Sequence, residues 1–114
     1  MMDIQTLTNA MEKFVRSKGW YRVDSPRPQT AKNLAISLNI EAAEVLELFQ
    51  WREKAPDPKK LAGELADVTL YLLQLASIAD IDLEEAVLAK LDVNYSREWD
   101  ILPEDQKEED GKTN

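Results

Sequence analysis

Apolar positions along this chain recur every three or four residues, and no stretch keeps the every-second-residue alternation of a strand. From Asp3 to Lys18, Ile4, Leu7, Met11, Phe14 and Val15 fall on one stripe, and Gly19 suits the helix stop. A loop holding Pro26 and Pro28 leads to a second helix that starts at Thr30, an N-cap residue, and runs to about Trp51. Its expected inner face carries Leu34, Leu38, Val45, Leu48 and Phe49. After the link Arg52 to Asp57, the pair Asp57-Pro58 opens a third helix that reaches about Ala79. The second half of that helix, Val68 to Ile78, is apolar on nearly every side and predicts cover on more than one face. In a chain of 114 residues that cover is a second subunit. Asp82-Leu-Glu-Glu85 resembles a capping box and opens a fourth helix reaching roughly Trp99. The polar residues from Pro103 onward predict a disordered tail. The expected fold is all-α, an antiparallel four-helix bundle subunit over residues 1–102 followed by a tail at 103–114.

Composition narrows the chemistry. A net charge of −8 argues against binding nucleic acid through a basic surface, yet leaves room for a phosphorylated small molecule if metal ions screen the approach. The chain has no Cys and no His, which removes disulfides, thiolate metal sites, the commonest general base and the Glu-x-x-His pattern of di-iron bundles. No basic segment followed by an apolar run marks a signal peptide. The most apolar window, Val68 to Ile81, is short for a bilayer span and carries Gln74 and Asp80. A cytoplasmic protein with no membrane partner is the expectation.

Against that background two carboxylate pairs stand out, Glu41-Ala-Ala-Glu44 and Glu64-Leu-Ala-Asp67, each spaced i, i+3 on one helix face and each set among apolar neighbours. The short link makes helices two and three an antiparallel hairpin, in which residues equidistant from the turn lie level. Glu44 and Glu64 each lie ten residues from position 54, and Glu41 and Asp67 each lie thirteen from it. If the inner faces match, four carboxylates converge within about one helical turn, roughly 5 Å along the axis. Such a cluster repels itself and titrates upward unless a cation sits in it. Oxygen donors without His or Cys favour Mg²⁺, with Mn²⁺ as the alternative. The competing possibility is two amphipathic helices with acids on solvated faces, since 22 acids make such spacings common.

The stretch Asn33 to Trp51, followed by Gly63 to Leu73, resembles the MazG-like nucleoside triphosphate pyrophosphohydrolases, and within them the compact subgroup that includes dCTP pyrophosphatases. Glu41, Glu44, Glu64 and Asp67 match that family's E-x-x-E and E-x-x-D elements. Phe49-Gln50-Trp51 and the later Lys90-Leu-Asp-Val-Asn94-Tyr-Ser-Arg97 extend the likeness over about residues 14–99. The resemblance implies a homodimer or a dimer of dimers. It also implies cleavage between the α and β phosphates to give a nucleoside monophosphate and pyrophosphate, in a house-cleaning role on deoxynucleotides such as dCTP. One departure is the absence of the histidine that relatives often carry before helix two, which leaves base recognition without its usual residue.

On this basis Glu41, Glu44, Glu64 and Asp67 are the expected metal ligands. With no His, the base is a carboxylate, Glu41 or Glu44, or a hydroxide held on the metal; Glu47 is in line to orient the water. Lys90 and Asn94, at i and i+4, share a face suited to phosphate or sugar oxygens, and Arg97 follows them. Tyr71, one turn beyond Asp67, can contact the substrate or fill the core. Trp20 and Trp51 can stack on a base or pack at helix ends. Lys32 and Asn33 can add donors. The alternative function is a non-catalytic acidic helical bundle that acts as a dimeric interaction module.

Overall fold

The computed structural model describes residues 2–97. Among them lie four helices, α1 (Ile4–Ser17), α2 (Ala31–Glu47), α3 (Pro58–Ile78) and α4 (Leu83–Ser96), and no strand. Met1–Glu84 forms one compact unit and Glu85–Asn114 a second. The expected tail at 103–114 and the fourth helix's expected end at Trp99 lie outside the described residues.

Side chains at the starts of α1, α2 and α3 satisfy backbone N–H groups that have no partner inside the helix. Asp3 Oδ1 accepts from the Thr6 amide at 2.8 Å, Thr30 Oγ1 from the Asn33 amide at 3.1 Å, and Asp57 Oδ1 from the Lys59 amide at 3.0 Å. That bond to Thr6 holds the Asp3 carboxyl below its ordinary value. Pro58, with no N–H to lose, sits at the start of α3.

The ends of α1 and α3 share one geometry. Gly19 (φ 72°) and Asp80 (φ 57°) turn the chain into the left-handed region. The next amide then reaches back to the last turn, Trp20 N to Val15 O at 3.3 Å and Ile81 N to Ala76 O at 2.8 Å. Trp20 and Leu83 thereby fold back onto the core of Met11, Val15 and Leu73.

Helix α2 ends at Glu47, one turn before the expected Trp51. From there the amides of Leu48, Phe49 and Gln50 bond three residues back, a tightening that loosens the helix. Trp51, at φ 65°, then reverses the chain without a glycine. Phe49, expected inside, rides on this turn and is 45% exposed.

Helix α3 is the centre of the first unit and packs against both α2 and α1. Gln74 Nε2 donates to Gln29 Oε1 at 2.6 Å, which ties the end of α3 to the entry of α2 and makes the pair antiparallel. Ser77 Oγ donates to Glu12 Oε1 and ties α3 to α1. At 21 residues, α3 is by length and composition sufficient to cross a bilayer, contrary to the short window seen in the sequence. Glu64 and Asp67 interrupt it, and its last turns pack in a core with Met11 and Val15. Among the described residues cover of α3 is incomplete, since Leu65, Leu70 and Leu72 stay more than 40% exposed.

Leu73 is 3% exposed. Leu73→Ala is expected to cost about 2–5 kcal/mol by urea unfolding. Loss of the α2 cap in Thr30→Ala should cost only about 1 kcal/mol, so equal midpoints for the two variants would contradict this core.

Candidate metal centre and adjoining clefts

The α2–α3 hairpin brings the acid pairs together. Single carboxylate oxygens of Glu41, Glu64 and Asp67 all lie within 4.8 Å of one another. Glu44 is the fourth member, and its hydrogen bonding and charge act on both Glu41 and Glu64. Glu41 Oε2 and Glu64 Oε2 are enclosed and receive no hydrogen bond. Acceptors shut away from water without a donor are costly unless a cation or a proton occupies the space between them.

A proton is the substitute when no cation is present. Burial above all, then the hydrogen bonding and charge of Glu44, then the charges of Asp67 and Glu64, push the Glu41 carboxyl from 4.5 up to about 7. Glu64 is also pushed upward, by burial first and then by Glu44 and Asp67. The donor set is all oxygen, carried on two rigid helices, and can hold a hard divalent cation.

Beside the acids opens a cleft of about 280 Å³, walled by Phe14, Trp20, Tyr71 and Gln74 and reaching Glu41 and Asp67. The Schellman turn at Gly19 aims Trp20 back over α1, where its ring meets Phe14 edge-on at 5.7 Å and 88°. A second cleft, of about 340 Å³, lies across Trp20 and Tyr71 and is bordered by Arg27, Gln29 and Asn33.

The expected substrate residues divide accordingly. Trp20 and Tyr71 line both clefts. Asn33 lines the second, although its Nδ2 already donates to Pro28 O at 2.9 Å. Lys32 and Trp51 line neither cleft, and Trp51, 94% exposed, stands out from the link. Glu47 is exposed at the end of α2, outside the group of facing oxygens. Lys90 and Asn94 lie on α4, in the second unit. The sequence argument missed Phe14, Arg27, Gln29 and Gln74. Of these only Gln74 carries a signal, a lone amide in an apolar run, three residues beyond Tyr71 and seven beyond Asp67.

An all-helical chain with a carboxylate cluster across one hairpin and an aromatic cleft beside it defines a class of acidic, metal-competent helical proteins. Residues 36–113 match the MazG-like family model. This chain belongs to the MazG-like family. It is 36% identical over 94 residues to dCTP pyrophosphatase 1 of Rattus norvegicus and, at the same level, of Homo sapiens. Each alignment covers 75% of this chain and 52% of the relative, so the chain spans about half the length of those curated proteins. The crystal structure of a pyrophosphatase from Archaeoglobus fulgidus superposes with a TM-score of 0.70 at 34% identity, over 82% of this chain and 90% of that one.

The raised carboxyls have a signed consequence. Between about 4.5 and about 7 the folded, metal-free protein holds more protons at Glu41 than the unfolded chain, so this group's contribution to stability falls as pH rises through that window and is constant above it. A divalent cation requires the ionised form and displaces the proton. The rise in melting temperature on replacing chelator with Mg²⁺ should grow with pH up to about 7 and then level off. A Mg²⁺ increment independent of pH would contradict the assignment.

Proposed function

We propose that this chain is a divalent-metal-dependent nucleoside triphosphate pyrophosphohydrolase that yields a nucleoside monophosphate and pyrophosphate, with Mg²⁺ as the cation and dCTP-like deoxynucleotides as substrates. The observation that carries the proposal is the convergence of Glu41, Glu44, Glu64 and Asp67 beside an aromatic cleft in a MazG-like chain. The names of the curated relatives support the deoxycytidine nucleotide, and that of the Archaeoglobus protein supports pyrophosphate chemistry.

Two enclosed oxygens without donors and an all-oxygen set fit a hard cation, with Glu41, Glu44, Glu64 and Asp67 as its ligands. When bound, such a cation neutralises charge on the triphosphate. The chain's own residues do the rest. Glu41 or Glu44 takes the proton of the attacking water, since carboxylates stand here in a chain without histidine. Trp20 and Tyr71 present aromatic faces to the nucleoside and exclude water from it. Lys90 and Asn94, i and i+4 on α4, carry an ammonium and an amide of the kind that binds phosphate oxygens.

A panel of deoxynucleoside triphosphates incubated with Mg²⁺ should release pyrophosphate rather than orthophosphate. Glu41→Gln or Glu44→Gln, whichever removes the base, should lower kcat by roughly 10²–10⁴-fold in a folded protein. A silent panel from folded wild-type protein would favour the non-catalytic interaction module instead.

The working form is proposed to be a homodimer or a dimer of dimers. Ile36 and Ile40 on α2, with Leu65 and Leu72 on α3, lie at i, i+4 and i, i+7 and are each 42–55% exposed, a pattern that calls for a partner face. Light scattering should return a multiple of 13.0 kDa; the monomer mass at micromolar concentration would remove this part.

A further inference from the structure

Gln74 is buried, at 4% exposure, on the face of α3 that carries Asp67 and Tyr71. Seven residues separate it from Asp67, about 10 Å along the helix. It lines the cleft that reaches the carboxylates, so a nucleotide with its phosphates at the acids would extend its base toward this amide.

The orientation of that amide is fixed by a relay. Gln29 Nε2 donates to Arg27 O at 2.7 Å, and Gln29 Oε1 accepts from Gln74 Nε2 at 2.6 Å. A backbone carbonyl can only accept. Gln29 must therefore turn its NH₂ to Arg27 and its oxygen to Gln74, and Gln74 must in turn give its NH₂ to Gln29. The half-turn by which a free carboxamide exchanges donor for acceptor is blocked. What Gln74 keeps for a ligand is Oε1, an acceptor, because its second N–H lies toward the buried Tyr21 hydroxyl.

We propose that Gln74, locked by Gln29, reads the nucleobase and selects one that presents an exocyclic amino group over one that presents an oxo group there. The proposal rests on the nucleotide hydrolysis set out above. It assigns base selection to residues of this chain, which has no histidine to perform it. An amino edge donates to Oε1, whereas an oxo edge sets oxygen against oxygen at a side chain that is itself only 4% exposed. Polar sites of this kind reject the mismatched partner because a buried group is left unpaired.

The test compares dCTP with dUTP, which differ at that edge of the base, using Mg²⁺ and wild-type, Gln74→Leu and Gln29→Ala proteins. Wild-type kcat/KM should favour dCTP by roughly tenfold or more. Gln74→Leu should erase the preference, chiefly by raising KM for dCTP. Gln29→Ala releases the carboxamide to turn and should raise kcat/KM for dUTP relative to dCTP, moving the ratio toward one. Should Gln74→Leu not fold, as judged by circular dichroism, Gln29→Ala decides alone. If wild-type protein hydrolyses both nucleotides without preferring dCTP, or the folded variants keep the wild-type ratio within about twofold, base reading by Gln74 is overturned while nucleotide hydrolysis stands. A wild-type protein that hydrolyses no triphosphate overturns both.

Discussion

Mutual repulsion among Glu41, Glu44, Glu64 and Asp67 is the constraint on which the rest of the first unit depends. Packing of α2 on α3 forces these groups together, and burial first, with their mutual hydrogen bonding and charge after it, raises the Glu41 and Glu64 carboxyls. Such an arrangement survives only if the scaffold outweighs it. The α3 core with Met11 and Val15, the Gln74–Gln29 bond and the caps at Thr30 and Asp57 supply that restraint away from the acids. The hairpin is thus held from its ends and from behind, and its centre is free to be electrostatically unfavourable until a proton or a cation enters.

The aromatic wall is coupled to the same scaffold. Gly19 permits a left-handed turn, the turn folds Trp20 onto the last residues of α1, and α1 packs on α3 beyond Asp67. Position in the cleft is therefore inherited from a helix stop rather than from contacts made by the loop that follows. Tyr71 belongs to both clefts for a related reason: one helical turn past Asp67, it faces the seam between α1 and α2.

The acid pairs are legible in the sequence because a helical repeat and a short link together determine which residues lie level. Helix starts are legible because capping residues act locally. The end of α2 is less so, since its last turn tightens gradually and Trp51 takes a backbone conformation usually left to glycine. Phe49 is misjudged for that reason: continuing the helical phase past Glu47 turns it inward, whereas the loosened turn leaves it outside. Trp51 follows the same logic and stands clear of both clefts. The Gln74–Gln29 pair joins positions 45 residues apart, and no local pattern announces it, although an amide inside an apolar run is a visible anomaly.

The hairpin also divides the chain by its tolerance of length change. Each residue added to or removed from a helix turns everything beyond it by about 100°. A deletion between Asp67 and Leu73 would swing both α3 carboxylates off the seam relative to the core that anchors the helix, and one between Leu34 and Glu41 would do the same to the α2 pair. The link at 52–57 carries no such phase, because a flexible connection transmits distance but not rotation. Natural drift in chain length within this hairpin should therefore collect in those few residues, leaving the spans from Leu34 to Glu44 and from Glu64 to Leu73 at constant count.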